Sequence, residues 1–379
     1  MFQLPKTLLS LASLLLAGAS PAPAPRPLQD AGTTTSVTIE RQLGLMGTSL
    51  VVSIEHTDRR SALLASEAAI VELERVEARL STWRESSELS ELNRAPVGER
   101  TSISPELHGE LSRARELREL TDGAFDPAVG ALLQAWKVRE GGRVPSERER
   151  AAAVVAGGLE ALRLSPPATG SFWAERLSPN LRLEEGGFGK GAGLDRALTV
   201  LREHGALSVR LDLGGQLLLE GRRETHALAD PCDRSRAVLS LSLESGSLAT
   251  SGNSERGFEL DGKRRAHLFH PQTGVPVADF GSLTVVARDA FTADALSTGL
   301  YVLGPERALQ LAAQLEDVEL ILLDTRHSPV RATLTSGLRG RVTLLDPALE
   351  IVWVPSAPSA APRTAQPLSP SQSALSTSP

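Results

Sequence analysis

Cysteine is all but absent from this chain. Its 379 residues include one, Cys232, so no internal disulfide can form. Aromatic residues are scarce too, at 3%. The core must therefore be aliphatic, built mainly from Leu, Ala and Val. Basic charge is not in excess: 40 Lys and Arg face 46 Asp and Glu, for a formal net charge of −6. No basic stripe interleaves with aromatic residues, which argues against a nucleic-acid partner. There is no internal repeat. The one long apolar run, Leu8 to Ala19, is shorter than the about 20 residues a membrane-spanning helix needs.

The ends have their own composition. Lys6, the apolar run and the small residues after it have the layout of a secretory signal peptide. Residues 1–24 are read as that signal, 25–38 as a linker and 39–354 as one globular domain. Residues 355–379, rich in Ser, Pro and Ala, cannot bury enough apolar surface to fold. The expected location is outside the cytoplasm, in the periplasm or cell envelope.

Within the domain, Ser61 can cap a helix bearing Leu64, Ile70, Leu73, Val76 and Leu80. Ser104-Pro105 is an N-cap followed by the favoured first-turn proline, and Gly123 sits past that helix's end. Further helices are read from Ser146 to Gly157, from Ala128 to Trp136 and from Gly191 to His204. Strands are read at 49–54, 208–213, 216–219, 238–243, 282–287 and 318–323. Helices and strands do not alternate as βαβ units. The expected class is α+β, with mixed or antiparallel sheets and packed helices.

Five segments carry the chemistry. In TADALSTGL, Asp294 and Thr298 stand four apart on a predicted helix that ends at Gly304. That spacing puts both oxygens on one face, where they can share a hard cation such as Mg2+. The same pair serves equally well as a cap or a surface polar pair. EEGGFGKG, Glu184 to Gly191, fails both nucleotide-loop patterns: Gly191 follows Lys190 where a Walker loop needs Ser or Thr, and the glycine spacing misses G-x-G-x-x-G. Its glycines still allow close backbone approach, and the helix after them offers free N–H groups to an anion. In GAFDP, Pro127 biases Asp126 away from helix, so the acid belongs to a turn. The segments GLMGTSL, with Met46, and LATSGNSERGFELDGKRRAHLFHPQTGVPV, with His267 and His270, complete the set. No third ligand at suitable spacing joins the two histidines into a transition-metal site.

In this order the five segments resemble the FAD:protein FMN transferase family, also called ApbE-like, over Gly44 to Gly304. The resemblance implies transfer of FMN from FAD to a Ser or Thr hydroxyl of a target protein, with release of AMP. It implies flavin contacts at Met46, Thr82, Trp83, Asp126 and Leu268. It implies Mg2+ on Asp294, Thr298 and the Gly189 carbonyl, and catalytic roles for His267 and Lys190. The implied partner is a Ser/Thr-bearing acceptor protein, expected to be a membrane redox subunit. Five positions depart from the family pattern: Glu184 replaces Asp, Glu185 replaces Leu, Gly189 replaces Ala, Asn253 stands where an acid is commoner, and His270 replaces Asp. Ala19 stands where lipoprotein relatives carry a lipidated Cys, so no lipid anchor is expected. A hydrolase cleaving FAD to FMN and AMP, or a flavin binder without chemistry, fits the same residues.

Overall fold

The computed structural model describes residues 36–156, 158–166, 170–252, 257–260, 263–266 and 268–357. The signal and most of the linker and tail therefore lie outside the described residues, as do Asn253 and His267. Strand β1 (Val37–Leu45) takes in the last two residues assigned to the linker and turns at Met46-Gly47 into β2 (Thr48–His56). Met46 adopts φ +49° and Gly47 φ +69°, the left-handed pair a tight hairpin needs. Helix α1 (Arg59–Leu80) is capped by Asp58, whose carboxylate accepts the Ser61 N–H at 2.9 Å. The cap thus falls three residues before the Ser61 expected from sequence.

Short α2 (Glu88–Arg94) and β3 (Arg100–Ser102) lead to α3 (Pro105–Leu120), capped by Ser104 as expected. Then follow α4 (Gly130–Ala135), α5 (Glu147–Ala156), β4 (Leu162–Leu164) and β5 (Trp173–Arg176). Helix α6 (Gly189–Glu203) precedes a run of strands: β6 (Ser208–Leu213), β7 (Gln216–Glu220), β8 (Glu224–Ala229), β9 (Ala237–Leu243) and β10 (Gly246–Gly252). The hairpin β11 (Gly257–Leu260) and β12 (Lys263–Ala266) comes next, then β13 (Gly281–Ala287). Helices α7 (Ala290–Leu303) and α8 (Pro305–Ala312) and strands β14 (Glu319–Asp324), β15 (Arg331–Thr335), β16 (Val342–Leu344) and β17 (Glu350–Val354) close the chain.

Nine strands make one sheet in the order β1-β2-β6-β7-β10-β13-β14-β15-β17, antiparallel except for the β15–β17 pair. This is the α+β class expected. Side-chain alternation splits its core in two. Leu283, Val285, Leu320 and Leu322 pack beneath α7 and α3. Val286, Ile321, Leu323 and Leu248 face the opposite way, onto the small sheet β16-β9-β8. A third cluster joins β1, β2 and β6 to α1 and α6. The aliphatic character read from composition holds, with Phe125, Phe188 and Tyr301 as the large fully buried rings.

Helices α6 and α7 cross at close range. A Cβ on Gly191 would stand 2.6 Å from the Ala290 carbonyl carbon and from Phe291 Cα, so only glycine fits. Each helix closes the start of the other. Asp195 of α6 accepts the Ala290 and Phe291 N–H groups at 2.7 and 3.0 Å. Asp294 of α7 accepts the Gly191 N–H at 3.0 Å. Both helices thereby gain an acceptor for N–H groups that lack intrahelical partners.

Candidate active site

A cleft of about 520 Å³ opens where the helices, the ends of β6, β7, β10 and β13, and strand β8 meet. Its size falls in the range of roughly 300–1,000 Å³ usual for ligand sites. Asp126, Lys190, Leu268, Asp294 and Thr298 all line it, although as much as 172 residues of sequence separate them.

Asp294 is the polar centre of one end. It is buried, and Lys190 Nζ donates to its Oδ1 at 2.9 Å while Gly191 N–H holds Oδ2. Thr298 lies one turn further along α7 on the same face, as the spacing predicted. Ser297 hangs on the Asp294 carbonyl at 2.9 Å and meets Ser251 of β10 at 3.0 Å. Thr250, Ser251 and Gly252 thus finish β10, and Ser251 braces α7.

Gly189 is the residue whose carbonyl the family resemblance implies as a ligand. Gly189 is the first residue of α6 and does not line the cleft. Its carbonyl points down the helix axis. Gly187 does line the cleft, and a Cβ there would stand 3.4 Å from Thr298 Oγ1 and 3.2 Å from Phe125. In an α-helix its carbonyl would receive the Gly191 N–H, but that N–H goes to Asp294. Among the described residues no three His, Cys, Asp or Glu side chains converge as a metal cluster. The Asp294 carboxylate and the Thr298 hydroxyl offer instead two oxygens on one helix face. Such a set suits Mg2+ only when phosphate oxygens or waters complete the coordination.

Asp126 holds a turn as well as facing the cleft. Its carboxylate takes the Ala128 N–H at 2.8 Å, Arg118 Nε at 2.6 Å and the Leu159 N–H at 3.2 Å. Burial pushes this carboxyl up, against the pull of Arg118 and the two N–H groups. Helix α4 begins at Gly130, two residues later than expected, because Ala128 is engaged in this Asx turn.

Thr82, Trp83 and Met46 do not line the cleft but border it. Thr82 Oγ1 donates to Glu184 at 2.9 Å and to Glu185 at 2.7 Å. Trp83 is 73% exposed, with the Arg139 guanidinium 4.2 Å above its ring. Arg139 also donates to Thr82 Oγ1 at 2.7 Å and to Glu184 at 2.6 Å. It ties Thr82 and Trp83 of one segment to Glu184 of another, and nothing in sequence marked it. Burial raises the Glu184 carboxyl, with Arg139 pulling it down and Glu185 adding to the rise. Met46 is half-buried against α6, its sulfur close to Gly193.

His270 does the work of an acid in its turn. Its Nδ1 accepts the Gln272 N–H at 3.3 Å, and its carbonyl receives the Gly274 N–H at 2.8 Å. That i to i+2 contact is the one a carboxylate makes in an Asx turn. Burial, then Arg307, lowers its pKa, which favours the neutral ring that Nδ1 acceptance requires. Trp136 Nε1 fixes the same turn by donating to the Gly274 carbonyl at 2.9 Å. His267 lies outside the described residues. Among the described residues, Gln216 Oε1 and His226 Nε2, which also line the cleft, are buried without a hydrogen-bond partner. Burial lowers the His226 pKa, against the pull of Glu224.

Comparison with known proteins gives one consistent picture. The model of the ApbE family matches residues 46–322. A Vibrio cholerae protein named FAD:protein FMN transferase is 31% identical over 264 residues, covering 67% of this chain and 77% of that one. One of the same name from Haemophilus influenzae is 30% identical over 70% of this chain and 81% of its own. Among solved structures, an ApbE protein of Thermotoga maritima superposes with a TM-score of 0.69 at 27% identity, over 76% of this chain and 94% of its own. The apo flavinyl transferase ApbE of Pseudomonas stutzeri, at 24% identity and a TM-score of 0.70, shares the fold over 80% of this chain.

Proposed function

The chain belongs to the ApbE family, and from that premise we propose that it transfers FMN from FAD to a Ser or Thr hydroxyl of an acceptor protein. The observation that carries this reading is the convergence of Lys190, Asp294, Thr298 and Gly187 at one end of a ligand-sized cleft. Their chemistry suits a diphosphate. Lys190 brings positive charge, Gly187 lets backbone come close, and Asp294 with Thr298 offers oxygens to a cation.

In the reaction, the hydroxyl oxygen bonds to the phosphorus on the FMN side. The bond from that phosphorus to the bridging oxygen breaks, and AMP leaves with the bridging oxygen. The hydroxyl proton passes to a base, for which His267 is the candidate. A bound Mg2+ would supply charge compensation to the two phosphates. Asp294, Thr298 and the Gly189 carbonyl would hold it. Lys190, now paired with Asp294, would turn to a phosphate oxygen. Asp126, Leu268, Thr82, Trp83 and Met46 would contact the flavin, with Trp83 offering a flat face to the ring system. The acceptor is proposed to be a membrane redox subunit, and the protein to be exported under the signal at residues 1–24. Among the described residues, no helix is long and apolar enough to cross a membrane.

The test is incubation with FAD, Mg2+ and a Ser/Thr-containing acceptor domain. Flavin fluorescence should stay with the acceptor after denaturing electrophoresis, and AMP should appear in equal amount. AMP with free FMN and no labelled acceptor would make the protein a hydrolase. Bound FAD without AMP would make it a flavin binder.

A further inference from the structure

One strand edge runs along the cleft. Six consecutive residues, His226 to Pro231, line it. They belong to β8 and its exit. β8 is the outer strand of the small sheet, with a ladder to β9 on one side and, among the described residues, no strand on the other.

The direction of its backbone groups follows from bonds further in. The Ser242 N–H donates to the Arg341 carbonyl at 2.7 Å, and the Leu345 N–H to the Val238 carbonyl at 3.0 Å. Even-numbered residues of β9 therefore turn toward β16. In an antiparallel ladder alternate residues point opposite ways. Leu239, Leu241 and Leu243 must then face their register partners Leu228, His226 and Glu224. This leaves Thr225 and Ala227 with N–H and C=O directed to the open side. Both residues are exposed, and a methyl at 227 presents no barrier. Edge strands are usually blunted by Lys, Pro or charge. Between Glu224 and Asp230 this one has none, and only a register shift at Leu228/Ala229 interrupts it.

We propose that β8 receives the acceptor as a fourth strand of the small sheet. The inference rests on the transfer reading above and names how the second substrate is held. The occupant is an extended segment carrying the Ser or Thr, not a folded surface. The edge shares one cleft with Lys190 and Asp294, so a segment laid on it lies beside the reacting phosphates. Main-chain bonds to Thr225 and Ala227 hold such a segment in register, and the cleft beside the edge selects among its side chains. Its side chains alternate, which turns every second one toward one face. The reacting hydroxyl must stand at the right parity.

The experiment uses the full chain with FAD, Mg2+ and a pool of Ser/Thr-containing dodecapeptides. Peptides that gain FMN are identified by mass, and one is resynthesised with backbone N-methyl groups on either the odd or the even residues counted from the hydroxyl. One set should cut labelling roughly tenfold or more, as the loss of two outward hydrogen bonds requires, and the other set should leave it nearly unchanged. The Thr225 and Ala227 amides should exchange more slowly with the peptide bound, while those of His226 and Leu228, already in the ladder, should not. Ala227→Pro removes one outward N–H and no ladder bond, and should raise KM for the peptide roughly fivefold. The proposal is overturned if both methylated sets behave alike, if Ala227→Pro leaves KM unchanged, or if only folded acceptors are labelled. Failure to bind FAD or release AMP would instead defeat the transfer reading, and this inference with it.

Discussion

Replacing Gly191 with Ala tests whether the crossing of α6 and α7 sets the candidate site. On helix propensity alone the change should stabilise by about 1 kcal/mol. The new methyl, however, would stand 2.6 Å from Ala290 C and Phe291 Cα, against ordinary contact at 3.4–4 Å. Both neighbours are backbone, so no side chain can swing aside. The helices must part by about 1 Å, and overpacking of that kind costs about 1–3 kcal/mol. The same movement lengthens the 3.0 Å bond from Gly191 N–H to Asp294. A lost hydrogen bond to a charged group adds about 1.5–3 kcal/mol. The expected net loss is about 1.5–5 kcal/mol, seen as a lower midpoint in thermal or urea unfolding. Mg2+-dependent AMP release should fall as well, since Asp294 moves with α7. Gly109 in α3 is the control: nothing lies within 4 Å of a Cβ there, so Gly109→Ala should stabilise by roughly 0.5–1 kcal/mol. If Gly191→Ala unfolds at or above the wild-type midpoint, propensity outweighs packing and the two helices are not locked as argued.

Other consequences are open to measurement. Asp294→Ala should abolish Mg2+-dependent turnover and loosen the start of α6, whereas Thr298→Ala, losing only a neutral ligand, should weaken Mg2+ less; titrating Mg2+ against AMP release gives the order. Burial raises the Asp195 carboxyl from 3.8 to about 6, with the Ala290 N–H opposing and Asp289 adding to the rise. Between those values the folded state holds a proton the unfolded state has released, so stability falls as pH rises through the window. Relative to wild type, Asp195→Asn should therefore gain about 1–3 kcal/mol between pH 4 and 6 in urea titrations, and a constant difference would count against the assignment. His270, lowered by burial and Arg307, contributes stability that is present above pH 6.5 and lost as pH falls; His270→Asp keeps the acceptor for Gln272 and should flatten AMP release across pH 5–8. Protein from the native host should begin between residues 20 and 30 on N-terminal sequencing, and an intact Met1 on the soluble protein would end the proposal of export.

Local signals were the legible ones. Ser104-Pro105, the Gly304 stop and the four-residue spacing of Asp294 and Thr298 were readable because each depends on a few adjacent residues. β6 was placed to the residue. β1 was missed because half its residues are polar and it forms an edge, where neither face of the pattern is wholly apolar. Asp58 was passed over for Ser61 because both are good caps and only geometry selects between them. Arg139 and Asp195 were invisible for another reason. Their partners Thr82, Glu184 and Ala290 lie 45 to 95 residues away, and no spacing rule reaches that far. The bond from the Gly191 N–H to Asp294 is similar, since it joins residues 103 apart on two helices.

The Lys190–Asp294 pair carries an implication for the order of events. One ammonium and one peptide N–H satisfy this carboxylate, so the pair is electrically balanced. A cation arriving alone would meet a competitor in place and leave an unneutralised lysine behind. Under the proposed function, a diphosphate arriving with its cation would remove that conflict, because its oxygens would give Lys190 a new anion while Asp294 would hold the metal. Metal affinity should then be low without nucleotide and high with it, and the lysine acts as a doorkeeper that yields only to the pair.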